Sequence, residues 1–285
     1  MPEPTRFIPS TDGVKVAVHD LGGNQSGGPM LVFAHATGFH GRCYLPMVAA
    51  LADRFHCIGV DLRGHGDARI PEGLSMDWKG MGEDLAAAVQ AVAGTEPVHA
   101  FGHSMGGASV ALAELDHPGM FASTWLFEPI LPPTSAIKPE GEDSLADRAR
   151  RRREIFDDFD SAFDRYASRP PFSMVDPAAL RAYVDFGFEP LDDGTVRLKC
   201  RGATEAEVFD NSMNGAFERL ENFAPRTAVV MSGDGGFPAQ LAPEVAQRMP
   251  NGQLVMFDDL THFGPFQDPP RIAEAVAAHL VDSGG

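Results

Sequence analysis

The chain lacks most of the features that mark secreted, membrane-spanning or disulfide-rich proteins. Its 285 residues include three cysteines, Cys43, Cys57 and Cys200, which are too few and too far apart for a disulfide framework or a thiolate metal site. No apolar run approaches the roughly 18 residues of a membrane span. The first residues, MPEPTRFIPSTDG, lack the basic start and apolar stretch of a signal peptide. These absences predict a cytoplasmic protein.

Basic charge is also scarce. The 23 lysines and arginines stand against 40 acidic residues, which gives a formal net charge of -17. Nucleic acids and anionic membranes both require a cationic face on the protein, so we expect neither as a partner. The remaining composition, 44% hydrophobic and 22% charged, is that of a globular protein long enough to bury a full core. It does not indicate the oligomeric state.

What the chain does contain is a regular alternation of short apolar segments with helical patterns. The apolar segments lie at 30–36, 55–66, 98–104 and 123–128, and the clearest helical patterns lie at 81–94 and 105–116. The alternation resumes after residue 225. Strands that alternate with helices form parallel sheets covered on both faces. We therefore predict an α/β fold with a mostly parallel sheet flanked by helices, preceded by a hairpin that turns at Asp12-Gly13.

The alternation breaks between residues 134 and 225. DSLADRARRRREIFDDFDSAFDRYA, residues 143–167, has the spacing of one long helix, and a second helix is predicted to open at Asp176. Acids follow the arginines of 150–153 at a spacing of four, which predicts a solvated, salt-bridged face. We predict that 134–225 is a helical lid inserted after the strand ending at Glu128, into a core made of 1–133 and 226–285.

Residues 102–106, GHSMG, have the G-x-S-x-G pattern of a nucleophile elbow. The pattern is short enough to arise by chance, but here it follows an apolar strand and opens a helix, as an elbow requires. The turn strains the backbone of the serine, and small neighbours relieve the crowding. Ser104 would then lie at the carboxyl edge of the sheet, above a helix N-terminus. The alternative is a glycine-rich turn with an incidental serine.

A serine hydroxyl needs a base to take its proton, and His262 is the best-placed of the ten histidines. It lies in DLTHFGPFQDPP, between the last predicted strand and the last helix. In a parallel sheet that loop emerges at the same carboxyl edge as Ser104. His99 and His279 fall inside a strand and a helix, where a structural role is expected. His103 neighbours the serine but would point away from it.

Four segments together resemble the α/β-hydrolase fold family, in their residues and in their order along nearly the whole chain. They are HATGFHG after the first core strand, DLRGHGDA after the next, GHSMGG, and the terminal HFGPFQDP. The resemblance implies a Ser-His-acid triad with Ser104 as nucleophile and His262 as base. It implies neither a cofactor nor a metal.

The same resemblance implies an oxyanion hole built from the backbone N–H groups of Thr37 and Met105. Family members usually carry His-Gly where this chain has His35-Ala36, a departure that restricts the backbone of the loop. Arg63 and His65 correspond to the structural RGHG turn of the family, and no catalytic role is assigned to them.

Two carboxylates compete to orient His262. The commoner arrangement in the family places the acid after the strand TAVVMSG, where this chain has Asp234, but two residues short of the usual position, which is Gly236. The less common arrangement places it at the end of the strand after the elbow helix, where this chain has Glu128. A buried Glu128 would need a partner, and the Nδ1 proton of His262 would supply it. We favour Glu128, with Asp234 as the alternative.

A serine nucleophile with an oxyanion hole indicates acyl transfer to water. We predict hydrolysis of a carboxylic ester or lactone, and the Phe- and Met-rich lid favours a small, apolar acyl substrate. The same triad also supports carbon–carbon bond hydrolysis and cofactor-free perhydrolysis, and both remain alternatives. A small-ligand receptor without turnover is a further alternative, against which the complete set of Ser, His and acid argues.

Overall fold

An eight-stranded, mostly parallel sheet runs through the chain in a computed structural model, which describes residues 6–136 and 144–281. The first six strands alternate with three helices in the order β1 (Arg6–Pro9), β2 (Lys15–Gly23), β3 (Met30–Ala34), α1 (Leu45–Leu51), β4 (His56–Asp61), α2 (Trp78–Ala93), β5 (Val98–His103), α3 (Met105–Asp116) and β6 (Phe121–Phe127). The predicted hairpin is confirmed, since β1 and β2 pair antiparallel on either side of Asp12-Gly13.

A segment without main-sheet strands follows. Its elements are α4 (Leu145–Arg150), β7 (Ile155–Phe156), α5 (Phe159–Ala167), α6 (Pro177–Gly187), β8 (Phe188–Pro190), β9 (Val196–Leu198) and α7 (Gly202–Asp210). The three short strands form a separate antiparallel sheet in the order β7-β9-β8, so helices are joined here by strands that the sequence does not predict. Residues 137–143, near the start of the predicted lid, lie outside the described residues.

The main sheet is completed by the last part of the chain. The elements are β10 (Arg226–Ser232), α8 (Phe237–Arg248), β11 (Gly252–Phe257), α9 (Gly264–Gln267) and α10 (Pro269–Val281). Single 3₁₀ turns lie at Thr11–Gly13, Gly41–Tyr44, Phe172–Met174 and Phe217–Asn222. Among the helices in 6–136 and 144–281, none combines the length and the apolar character that crossing a membrane requires.

The strand order is β1-β2-β4-β3-β5-β6-β10-β11, and every neighbouring pair from β4 to β11 is parallel. One core cluster lies between the sheet and α2, α3 and α8. The other lies between the opposite face and α1 and α10, and it continues into the inserted segment. The predicted fold class is confirmed. Because the strands are parallel, the loops that follow β3, β5, β6, β10 and β11 meet at one carboxyl edge.

The helix predicted at 81–94 is present as α2, which begins three residues earlier than predicted, at Trp78, and ends at Ala93. The Asp77 carboxylate caps α2 by accepting from Gly80 N at 2.8 Å, and its C-cap is Gly94, whose φ of 64° is easily adopted by glycine. The predicted helix at 105–116 matches α3 residue for residue. The strand predicted to end at Glu128 ends one residue earlier, at Phe127.

The single helix predicted over 143–167 is wrong. Helix α4 stops at Arg150, the chain extends to pair β7 with β9, and α5 starts again after Asp158. The carboxylate of Asp158 accepts from Ser161 N at 2.7 Å, which makes it the N-cap of a new helix. The three- and four-residue spacing of the apolar side chains continues through this break and therefore does not reveal it.

The break also changes the pairing of the arginines. Arg150 contacts Asp147 at 3.2 Å rather than Glu154, because the helical spacing of four does not continue past α4. The predicted pair of Arg153 with Asp157 is present at 4.0 Å and is exposed. Arg152 does not lie on a solvated face, since its side chain is only 17% exposed.

Candidate active site

Ser104 forms the turn between β5 and α3 in a conformation that few non-glycine residues adopt, with φ 57° and ψ -115°. The glycines around it allow close backbone approach. A Cβ on Gly106 would lie 2.1 Å from the carbonyl oxygen of Ala34, and one on Gly102 would lie 2.7 Å from Cα of Gly107. Substitution at either glycine therefore requires the turn to move. The side chain of Ser104 lies at the carboxyl edge, where the residue is 8% exposed.

Glu128 lies one residue beyond β6 and is fully buried. Its φ of 44° is also in the left-handed region, so the chain turns sharply there before Pro129. One carboxylate oxygen, Oε2, lies 2.6 Å from Nδ1 of His262, and the other, Oε1, accepts from Ser232 N at 2.7 Å. Both oxygens of the buried carboxylate thus have a hydrogen-bond partner, as burial of a charge requires.

Asp234 contacts the same histidine through its main chain. Oδ2 of Asp234 accepts from the backbone N–H of His262 at 3.0 Å, and Oδ1 accepts from Gly236 N at 2.9 Å. Partial burial acts to raise the pKa of this carboxyl, but these backbone hydrogen bonds outweigh it and hold the pKa below its usual value. Of the two predicted acids, Glu128 therefore meets the imidazole and Asp234 meets the peptide.

Strand register brings the serine and the glutamate to neighbouring positions. His103 pairs with Phe127 across β5 and β6, so Ser104 and Glu128 each lie one residue beyond the same pair. Ser104 N donates to the carbonyl of Phe127 at 2.9 Å. Nε2 of His103 lies 2.8 Å from the carbonyl oxygen of His262, and the two imidazole rings are 5.0 Å apart. Ser104, Glu128 and His262 thus all lie at one edge of the sheet, and Glu128 and His262 are in contact there.

The loop after β3 carries Thr37, a buried residue, and is fixed by His35. Nδ1 of His35 donates to the carbonyl of Ala36 at 2.9 Å, and its Nε2 accepts from Leu62 N at 3.1 Å. Burial lowers the pKa of His35 to about 4, so the ring is neutral and can be donor and acceptor at once. Because a trans peptide directs its C=O and N–H to opposite sides, fixing the Ala36 carbonyl also fixes the direction of the Thr37 N–H.

Aromatic side chains of the inserted segment pack over this loop. Phe172 stacks on Phe39 at 5.9 Å and meets Phe263, the residue after His262, at 5.8 Å. Tyr183 lies 5.1 Å from Phe39. The inserted segment therefore contacts both the loop that bears Thr37 and the loop that bears His262.

A buried polar cluster joins the segment to the same loop, and the sequence does not predict it. Arg152 donates to Glu205 at 2.6 Å, to the Tyr166 hydroxyl at 3.0 Å, and to the hydroxyl of Tyr183. A Cβ on Gly38 would lie 2.5 Å from Oε1 of Glu205. The cluster therefore packs directly against Gly38, the residue that follows Thr37. A run of four arginines gives no signal that one of them turns inward.

One group among the described residues has the composition of a metal site: His19, Asp61 and Asp67. Its carboxylates already have partners. Asp61 accepts from His19 at 2.8 Å and from Gly41 N at 2.8 Å, and Asp67 pairs with Lys199 at 2.6 Å. These contacts account for the acids without a cation, and we assign no metal to them.

A family model described as the alpha/beta hydrolase family matches residues 31–275. The chain belongs to the α/β hydrolase family, and the resemblance seen in its motifs is confirmed.

Individual relatives are more distant. The chain is 28% identical over 167 residues to the 2-(acetamidomethylene)succinate hydrolase of Mesorhizobium japonicum, an alignment that covers 59% of this chain and 57% of that protein. The crystal structure of E-2-(acetamidomethylene)succinate hydrolase superposes with a TM-score of 0.79 at 21% identity, covering 97% of this chain and 98% of the other. Esterase RhEst1 from Rhodococcus sp. ECU1013 gives 0.72 at 24% identity, covering 99% and 100%. At these identities the solved structures show the shared fold.

Proposed function

We propose that the protein hydrolyses a carboxylic ester or lactone through an acyl-enzyme on Ser104. The observation that carries this proposal is the 2.6 Å contact between Nδ1 of His262 and the buried carboxylate of Glu128, at the sheet edge where Ser104 lies. A carboxylate at Nδ1 fixes the tautomer of the imidazole, so that Nε2 is unprotonated and can act as a base.

In the proposed reaction, the hydroxyl oxygen of Ser104 attacks the carbonyl carbon while Nε2 of His262 takes its proton. The backbone N–H groups of Thr37 and Met105 bind the negative oxygen of the tetrahedral intermediate. The imidazolium, stabilised by Glu128, then protonates the leaving alcohol. Water then attacks the acyl carbon and gives a proton to Nε2 of His262. The bond from that carbon to the serine oxygen breaks, the acid leaves, and the imidazolium returns the proton to Ser104. Every step uses side chains or amides of this chain.

We propose that residues 134–225 act as a lid whose aromatic side chains bound an apolar acyl site. Phe172 and Tyr183 contact Phe39, which lies two residues beyond Thr37. A substrate that carries a carboxylate as well is a reasonable member of a test panel. The name of one relative refers to a succinate.

The test is covalent labelling together with turnover. A fluorophosphonate is expected to label the wild type on Ser104 alone, and short p-nitrophenyl esters to be hydrolysed. Ser104→Ala should lose both while its circular dichroism and unfolding midpoint stay unchanged, because the turn tolerates a smaller side chain. Ser168→Ala, at an exposed serine of the lid, is the matched control and should behave as the wild type.

Labelling at another residue, or turnover retained by Ser104→Ala, would refute the nucleophile. Tight binding of esters with no turnover by the wild type would favour a receptor. Varying the acyl length and including lactones and carboxylate-bearing esters then defines the substrate class.

A further inference from the structure

Three hydrogen bonds hold His262: one reaches its ring, and the other two reach its main chain. Glu128 contacts Nδ1, Asp234 accepts from the backbone N–H, and Nε2 of His103 lies 2.8 Å from the backbone carbonyl. Building on the proposed function, we infer that Asp234 and His103 are positioning residues that clamp the main chain of the base from both ends, while Glu128 orients its imidazole.

The Asp234 half of the clamp is itself fixed. Oδ1 of Asp234 accepts from Gly236 N at 2.9 Å and lies 3.2 Å from the hydroxyl of Ser232, so the carboxylate is tied to its own turn after β10. Its second oxygen reaches across to His262 at 3.0 Å. The contact with His262 needs one acceptor oxygen, and the contact with Gly236 N uses the other. The aspartate therefore joins the turn after β10 to the loop after β11.

The His103 half of the clamp depends on a defined tautomer. A carbonyl oxygen only accepts, so Nε2 of His103 must carry the proton that it donates to His262. Nδ1 is then an acceptor, and the hydroxyl of Tyr44 lies 3.2 Å from it. The ring is 1% exposed, and burial lowers the pKa of His103 well below its usual value, which keeps it neutral with this arrangement intact.

The contact between His103 and His262 affects the nucleophile because of where His103 lies in the chain. His103 directly precedes Ser104, so the residue that holds the carbonyl of the base is covalently joined to the nucleophile. Serine and imidazole lie on loops 158 residues apart in sequence, and a loop alone would leave their separation free to vary. Through this contact, the position of His262 is fixed relative to the turn that carries Ser104.

Two pairs of variants test the clamp on a p-nitrophenyl ester. Asp234→Ala and His103→Leu each remove one main-chain contact and should lower kcat by about tenfold or more with KM within about twofold, since the ester still binds but meets a misplaced base. Asp234→Asn keeps one acceptor oxygen for the N–H of His262, while its NH2 can face the hydroxyl of Ser232 and the contact with Gly236 N is lost. His103→Gln keeps an N–H donor at similar reach. Both should retain most of the wild-type kcat. This rescue by the conservative variants is not expected of a general loss of folding.

Asp259→Ala is the matched control, because Asp259 belongs to the same loop but pairs with Arg271 at the surface. It should keep the wild-type kcat. Asp234→Ala with unchanged kcat would overturn the clamp. An Asp234→Asn variant as impaired as Asp234→Ala would also overturn it, because a single acceptor oxygen facing His262 would then not suffice. Circular dichroism and unfolding midpoints establish that each variant is folded.

A readout without turnover separates this inference from the proposed function. The proton between Nδ1 of His262 and Glu128 should give a low-field proton resonance, assigned by its loss in Glu128→Gln. The clamp predicts that this signal broadens or exchanges faster in Asp234→Ala and stays sharp in Asp234→Asn. The result holds whether or not any ester is hydrolysed. A signal equally sharp in Asp234→Ala and the wild type would overturn the clamp even in an active enzyme.

Discussion

Glu128 combines two features that each cost free energy: a buried carboxylate and a left-handed backbone. An unpaired buried charge costs several kcal/mol, and a strained backbone adds on the order of 1–3 kcal/mol. The carboxylate is stabilised by Ser232 N and His262, and the backbone turn brings it to both partners. A residue kept in this conformation, with a titratable side chain as its partner, is typical of a functional position.

At this scale the first prediction distinguishes the two acids. Glu128→Gln should lower kcat by roughly 10⁴, as loss of the orienting acid does in serine proteases, because the amide no longer stabilises the imidazolium. Asp234→Asn should be affected only mildly, since its contact is with the main chain. Steady-state kinetics on one ester measures both. If Asp234→Asn is the crippled variant and Glu128→Gln is not, the acid of the triad is Asp234.

Single residues could be predicted where a strand or turn fixes their position. Ser104, Glu128 and His262 each follow an apolar segment of the parallel sheet, and the topology alone brings such residues to one edge. Arg152 could not be predicted, because its inward direction depends on where α4 ends and on Glu205, 53 residues further along. His103 was expected to point away from Ser104, and its contact with the main chain of His262 depends on a loop with no regular pattern.

At the scale of elements, the site depends on the contact between the elbow and the loop after β3. Gly106 lies against the carbonyl of Ala34. If the start of α3 moved closer to the end of β3, the two would clash, and if it moved away, a gap would open. Of the two proposed oxyanion donors, Met105 is the first residue of α3 and Thr37 lies in the loop three residues beyond β3. Their separation is therefore set by backbone packing and not by flexible side chains.

The inserted segment supplies the second prediction. Phe172→Ala should raise KM for esters with long acyl chains several-fold and leave acetate esters nearly unchanged, because the ring removed stacks on Phe39 and Phe263 above the proposed acyl site. The measurement is KM and kcat against acyl length. Leu145→Ala, at a position 58% exposed in the same segment, is the control and should keep the wild-type profile. A parallel change for all esters would contradict a role in selectivity.

Long, regular helices and strands could be predicted from the sequence, and short ones could not. The alternation of strands and helices predicts the core, and α3 has the predicted bounds. Long amphipathic or apolar segments can be predicted because their hydrophobic pattern indicates one type of secondary structure. The inserted segment was predicted less well. Its strands are two or three residues long. One predicted helix is replaced by α4, β7 and α5, the last of which begins at the capping side chain of Asp158.

For the whole molecule, buried histidines couple the fold to pH. His35 and His40 are buried in the loop after β3, and His65 is buried against His35, with the two rings 4.9 Å apart. Burial lowers the pKa of His35 and of His40 to about 4, and that of His65 to about 3. All three are therefore neutral in the folded protein at neutral pH, as the donor and acceptor roles of His35 require.

The third prediction follows from the sign of these shifts. In the unfolded chain a histidine titrates near its ordinary pKa of about 6.5. Between that pH and about 4 the unfolded state binds protons that the folded state does not, so the free energy of unfolding falls as the pH is lowered. From pH 7 to 5, before most carboxyl groups titrate, the loss is roughly 2 kcal/mol for each of the three histidines. Urea unfolding at pH 7, 6 and 5 measures it. His65→Asn removes one of four such groups, since His103 is also buried and neutral, and should flatten the dependence by about a quarter. A free energy of unfolding that is constant from pH 7 to 5 would show that these histidines are not buried in the neutral form.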